Sequence, residues 1–156
     1  MIDTPHIAQV AALSAAVIRL TIPRTEIRNV MGPAMAELRA ALAAQRIPPA
    51  GPIFSHHFRM DPDVFDFEVG IPVAANAFAP AGRVQPGALP AATVARAIHR
   101  GGYEGLGDAW EELDAWITAQ GHQRAPGMWE SYVAGPESSA TPADWRTELN
   151  RPIALR

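Results

Sequence analysis

Arg24-Thr25-Glu26-Ile27-Arg28-Asn29-Val30-Met31-Gly32-Pro33-Ala34-Met35-Ala36-Glu37-Leu38 and His99-Arg100-Gly101-Gly102-Tyr103-Glu104-Gly105-Leu106-Gly107-Asp108-Ala109-Trp110-Glu111-Glu112-Leu113 are one pattern written twice, with Gly32 falling on Gly107 and Leu38 on Leu113 at an offset of 75. The same offset carries Phe54-Ser55-His56-His57 onto Trp129-Glu130-Ser131-Tyr132. An offset of 80 carries Glu68-Val69-Gly70-Ile71-Pro72 onto Glu148-Leu149-Asn150-Arg151-Pro152, and upstream Leu13-Ser14-Ala15-Ala16 meets Leu89-Pro90-Ala91-Ala92 at 76. Three close registers in unbroken chain order indicate a duplicated supersecondary unit.

Each half reads as β-α-β-β. Val17, Ile18, Thr21 and Ile22 make Leu13 to Ile22 a buried strand ended by Pro23, with Ala91 to Ile98 as its twin. Met31, Met35, Leu38 and Leu42 recur at helical spacing, and Pro33 suits a first turn, so the spacing predicts a helix over Pro33 to Arg46. Its counterpart runs from Gly105 to Gln120, with Leu106, Trp110, Leu113 and Ile117 on one stripe, Asp108 near the positive end and Gly121 as the stop. Two strands follow each helix: Ile53 to Arg59 with Val64 to Val73, and Met128 to Ala134 with Trp145 to Ile153. Phe65, Phe67, Val69 and Ile71 alternate with Asp66 and Glu68, as Trp145, Thr147 and Leu149 alternate with Arg146, Glu148 and Asn150, which gives each sheet one apolar face. The expected fold class is α+β: duplicated β-α-β-β units with pseudo-twofold symmetry, an antiparallel sheet and two helices on one face. Residues 1–156 are expected to form a single domain, with repeat one at about 9–75, a linker at about 76–88 and repeat two at about 89–156.

Composition narrows the function classes. A chain of 156 residues buries about two thirds of its unfolded surface, enough to fold unaided. A net charge of −3 offers no basic footprint for phosphates, so no direct nucleic-acid contact is expected. Cysteine is absent, which excludes disulfides, thiolate catalysis and thiolate metal sites and suits a cytoplasmic protein. Ile7 to Leu20 is too short and Ala-rich to span a membrane, and Met1-Ile2-Asp3-Thr4-Pro5-His6 lacks a charged export region. No membrane association and no cofactor are expected.

The string His99-Arg100-Gly101-Gly102-Tyr103-Glu104-Gly105-Leu106, the helix end Leu113-Asp114-Ala115-Trp116-Ile117, the strand Trp129-Glu130-Ser131-Tyr132 and the closing Asp144-Trp145-Arg146-Thr147-Glu148-Leu149 with Pro152 together resemble the GyrI-like small-molecule-binding domains. These are also the effector-binding domains of multidrug-responsive MerR-type and AraC-type regulators. The resemblance covers about Ala11 to Pro152. It implies a ligand groove between the helices of the two repeats, an anionic centre at Glu130, a wall residue at Tyr132 and stacking residues at Tyr103 and Trp110. The implied ligand is an aromatic, lipophilic or cationic small molecule, with a role in drug or toxin sensing or resistance. Other members resemble hydrolases of cyclopropane-bearing toxins, which would make Glu130 a general base, or gyrase inhibitors, which would imply a protein partner. The chain departs from a whole regulator in having no helix-turn-helix before Leu13, which implies a standalone binder. Ser55 stands in the first repeat where Glu130 stands in the second, so one carboxylate is expected on the axis.

The residues also carry plainer readings. Strand alternation puts Glu130 and Tyr132 on one face and Trp129 and Val133 on the other, and a carboxylate amid this apolar surface is either at a solvated edge or held for a cationic ligand. Trp110 is a core residue or a ligand wall. Tyr103, after Gly101-Gly102, either projects over a cavity or seals the start of the helix. Glu68 and Glu148 occupy equivalent positions and suggest structural pairing with Arg146 or Arg151. His56 and His57 point to opposite faces and cannot chelate one ion; no metal site is expected. Asp108, Glu111, Glu112 and Asp114 read as a solvated helix face. No Gly-x-Ser-x-Gly and no phosphate-loop pattern occurs.

Overall fold

A computed structural model describes residues 2–154. In chain order the elements are β1 (His6–Val10), β2 (Leu13–Pro23), α1 (Ile27–Ala44), β3 (Phe54–Met60), β4 (Val64–Pro72), β5 (Gln85–Leu89), β6 (Ala92–Arg100), α2 (Leu106–Ala119), β7 (Gln123–Arg124), β8 (Met128–Ala134) and β9 (Arg146–Ala154). Single 3-10 turns lead into both helices and into β9. The elements form an α+β fold of two compact units, one of Ala11–Ala91 and one of the residues up to Val10 together with those from Ala92 onward.

In the Ala11–Ala91 unit the antiparallel strand order is β5-β2-β4-β3, and in the other it is β1-β6-β9-β8, with β7 beside the end of β9. Each unit lays its helix on one face of its own sheet. Helix α1 buries Ala34, Leu38 and Leu42 against Ile18, Phe67 and Val69. Helix α2 buries Ala109, Leu113 and Ile117 against Ala97 and Leu149. The two stripes match residue for residue at the offset of 75.

The repeat extends to details that hydrophobic pattern does not encode. Ser55 pairs with Val69 as Glu130 pairs with Leu149, and the register shifts between His57 and Arg59 as it does between Tyr132 and Ala134. Phe58 and Val133 are the extra residues of these equivalent bulges, and Val133 is 54% exposed where simple alternation had set it with Trp129, which is 3% exposed. A bulge re-aims the strand beyond it. Both helices also end alike: Ile47 N–H donates to Leu42 O and His122 N–H to Ile117 O, each at 3.0 Å. Arg46 (φ 57°) and Gly121 (φ 76°) take the left-handed residue that this closure demands.

Three expectations are corrected. The offset of 76 at the first strand is 79 in the pairing, since Ile18 lies beside Val69 and Ala97 beside Leu149; Leu89 is instead the β5 partner of Leu13. Segment 76–88 is therefore not all linker, because its end enters β5, whose Gln85-Pro86-Gly87 pairs along the β2 edge. Edge strands tolerate proline because one row of N–H groups faces away from the ladder. Third, α1 begins at Ile27, so Pro33 lies inside the helix and not in its first turn. Pro33 withholds an N–H from the Asn29 carbonyl, and both residues lie on the exposed side of the helix, where the loss of that bond costs least.

The helix ends give a test. Arg46→Gly relieves a left-handed non-glycine residue and is expected to raise stability by about 0.5–1 kcal/mol, while Gly121→Ala lowers it by about 1 kcal/mol, both read from urea unfolding midpoints.

Candidate functional site

Strand β8 brings a carboxylate under helix α2. Glu130 lies across from Leu149, whose side chain is in the α2 core, so the register aims the Glu130 side chain toward the helix and not into solvent. It is 8% exposed. Trp110, one turn on from Leu106, donates its indole Nε1–H to Glu130 Oε1 at 2.7 Å. Tyr132, two residues along the same strand face, donates its hydroxyl to Glu130 Oε2 at 2.8 Å. Trp110 is thus both a half-buried neighbour of the α2 core and a hydrogen-bond donor to the acid.

Burial pushes the Glu130 carboxyl above its ordinary range, and the Trp110 and Tyr132 hydrogen bonds and the charge of His99 oppose that rise. The acid is therefore held in a mostly apolar setting by two neutral donors, a partial replacement for water. His99 is 2% exposed and donates Nε2–H to Gly102 O at 2.9 Å, which ties the end of β6 to the turn that carries Tyr103.

Tyr103 extends the site outward. Its ring meets Tyr132 edge-on at 5.8 Å and tilts against Trp145 at 4.9 Å. It is 38% exposed, so part of the ring is open to solvent. A side chain at the buried Gly135 would place its first carbon 2.7 Å from the Tyr103 hydroxyl, so this glycine leaves room for the ring. Burial, then the charges of Glu137 and Glu130, raises the Tyr103 phenol above its ordinary range and keeps it protonated.

The structure brings Glu130, Tyr132 and Trp110 into direct hydrogen-bond contact and adds Tyr103 through its ring contact with Tyr132. Trp145 belongs in the sequence to an alternating apolar face and to the closing motif, and neither marks it as a site residue. Its phase, shared with Thr147 and Leu149, was the available signal, since those residues lie opposite Tyr132 and Glu130. Its indole N–H is bonded to Ser139 O at 2.9 Å, which fixes the ring beside Tyr103.

Other candidates resolve differently. Glu148 meets Arg96 at 3.5 Å and accepts from Asn150 at 3.2 Å, while Arg151 meets Asp114. Antiparallel registry decides this: Arg96 and Glu148 share the β6–β9 face, whereas Arg151 projects toward α2. Asp114 likewise leaves the expected solvated row, since Arg124 holds it at 2.9 Å. His56 and His57 are each 7% exposed and meet different rings, His56 tilted against Phe58 and His57 stacked on Phe67. Among the described residues no group of three metal-ligating side chains converges, and no helix is long and apolar enough to cross a membrane.

The raised Glu130 pKa sets a pH test. Because the folded protein holds this proton more tightly than the unfolded chain, its contribution to stability is full below the ordinary value of 4.5 and is lost as pH rises through the folded pKa. Glu130→Gln removes that loss. The stability of the variant relative to wild type is therefore expected to increase from pH 4 to pH 8 in urea unfolding. Burial lowers the His56 and His57 pKa values to about 4, an effect common to both proteins that cancels in the difference.

Comparison with known proteins agrees with this architecture. The C-terminal domain of EcmrR superposes with a TM-score of 0.83 at 21% identity, covering 98% of each chain. EcmrR in its DNA complex gives a TM-score of 0.83 at 20% identity over 98% of this chain, which spans 58% of the length of that one. SAV2435, solved bound to tetraphenylphosphonium, gives 0.70 at 14% identity, covering 97% of this chain and 94% of that one. A hydrolase encoded by lin2189 of Listeria innocua gives 0.67 at 11% identity, covering 96% and 91%. At such identities these likenesses speak for the fold. No curated protein matches in sequence. The family assignment comes from the sequence, which matches the GyrI-like small molecule binding domain across residues 3–154. The chain belongs to the GyrI-like small-molecule-binding domain family.

Proposed function

We propose that this domain binds a lipophilic aromatic cation at the Glu130 face, as the ligand-reading part of a drug- or toxin-sensing or resistance system. The observation that carries the proposal is the buried Glu130 carboxylate with an aromatic wall beside it. An acid so placed, held by two neutral donors, keeps lone pairs that a cation would satisfy more strongly than any neutral partner. Tyr103, Tyr132 and Trp145 offer ring faces and edges for stacking and cation–π contact. A bound cation also draws Glu130 toward its ionised form, so charge recognition and proton release are coupled. The tetraphenylphosphonium carried by SAV2435 is a lipophilic aromatic cation held by a protein of the same fold, which supports this choice of ligand class.

A hydrolytic reading has one specific observation in its favour: Glu130, with its raised pKa, is hydrogen-bonded to a phenol that could pass a proton. In that reading Glu130 takes a proton from water as the water attacks a strained electrophile, and Tyr132 protonates the leaving group. Binding is the stronger reading because the Tyr132 hydroxyl proton is already given to Glu130 Oε2 and is not free for a leaving group. A cyclopropane electrophile recovered unchanged after prolonged incubation with the protein excludes hydrolysis; its conversion in wild type but not in Glu130→Gln establishes it.

Binding is tested by fluorescence titration with tetraphenylphosphonium. Wild type is expected to bind saturably, Glu130→Gln at least tenfold more weakly, and Tyr103→Ala several-fold more weakly. Equal affinity in Glu130→Gln would remove the carboxylate from the site.

A further inference from the structure

The Ala11–Ala91 unit repeats the framework of the Glu130 site with side chains of a different character. Ser55 and His57 stand opposite Val69 and Phe67 on β4, as Glu130 and Tyr132 stand opposite Leu149 and Thr147 on β9. At the same offsets Met35 replaces Trp110, Arg28 replaces Tyr103 and Phe65 replaces Trp145. The carboxylate and both of its donors are gone from this set.

What replaces them is cationic and aromatic. The guanidinium of Arg24 lies 4.5 Å above the centre of the Phe65 ring. Arg24 is half-buried, and among the described residues no carboxylate pairs with it. The acid closest along the chain, Glu26, accepts instead from Asn29 at 3.1 Å. His57 is 7% exposed, stacks on Phe67 at 4.9 Å and meets Phe65 edge-on at 5.3 Å. Its buried Nδ1 has no hydrogen-bond partner among the described residues. Burial, with the charges of His56 and Arg24, lowers its pKa to about 4, so the ring is neutral near pH 7. The first turn of α1 holds no acid, whereas that of α2 holds Asp108. Met31, Met35 and Phe65 lie partly buried on the core and supply an adaptable apolar floor.

A guanidinium that lies over an aromatic ring with no carboxylate partner among the described residues, and a buried imidazole nitrogen without a hydrogen bond, are two independent observations in one apolar setting that suit an anionic ligand. We propose that the Ala11–Ala91 unit carries a second small-molecule site, centred on Arg24, His57 and Phe65, that takes flat aromatic anions such as aryl carboxylates or sulfonates. The anionic group receives the Arg24 fork, and the ring system packs on Phe65 and the methionines. Duplication has then produced two sites of opposite charge preference, one for each repeat.

The probes are 2-naphthoate and its uncharged amide, titrated calorimetrically. Wild type is expected to bind naphthoate saturably and the amide at least tenfold more weakly. Arg24→Gln, which removes no side-chain hydrogen bond and is expected to keep the wild-type near-UV circular dichroism, should weaken naphthoate binding at least tenfold. Glu130→Gln should leave it unchanged, which separates this site from the cation site, whose probe and variant are different. In wild type, imidazole NMR signals of His57 should move with naphthoate while those of His122 do not. Absence of saturable naphthoate binding, equal affinity in Arg24→Gln, loss in Glu130→Gln, or unmoved His57 signals would each overturn the proposal.

Discussion

The Glu130 carboxylate, carried into an apolar setting by β8 and held there by Trp110 and Tyr132, is the interaction on which the proposed cation site depends. A lone buried carboxylate would cost several kcal/mol, and two neutral hydrogen bonds offset only part of that. The remainder shows as the raised pKa. On the proposed reading this unmet preference is for positive charge, and the surrounding rings decide what kind of cation meets it. Rigid aromatic walls around one charged group favour flat, lipophilic molecules over small hydrated ions.

The duplicated framework explains how such a site is held without strain. Helix α2 is anchored by Ala109, Leu113 and Ile117, three side chains fully removed from solvent, so Trp110 is presented by a rigid element. The bulge after Tyr132 turns the strand outward directly beyond the acid, which separates the buried part of β8 from the exposed Val133. Helix α1 and the bulge after His57 reproduce this scaffold in the other unit. Backbone and core are shared between the repeats, whereas the residues facing the site are not, which is what a scaffold with separable function requires.

Much of this was legible in the sequence. Helical spacing and strand alternation identified both helices and six strands, because burial on one face imposes a period that composition reveals. Alternation alone sets Glu130 and Tyr132 on one face, and Trp110 stands between core and wall in the sequence because a half-buried indole fits both descriptions. The edge strands β1 and β5 are not legible in the sequence: β1 is short and half exposed, and β5 contains proline and glycine, so neither displays the alternation of a strand with a buried face. The early start of α1 was hidden by Gly32-Pro33, which read locally as a boundary, although the solvent-facing position makes the missing hydrogen bond cheap. The partners of Glu148 and Asp114 depended on strand register, which is a tertiary property. The buried His57 nitrogen without a hydrogen bond and the Arg24 guanidinium without a carboxylate partner among the described residues are likewise visible only when their surroundings are known.

The most direct measurement is the titration of the Glu130 side-chain carboxyl by 13C NMR, in the free protein and with saturating tetraphenylphosphonium. The account predicts a midpoint above the ordinary carboxylate range in the free protein and a clear downward move when the cation is bound, since a cation favours the ionised form. An ordinary midpoint that the cation leaves unchanged would contradict the claim that this carboxylate is the charge-reading centre of the domain.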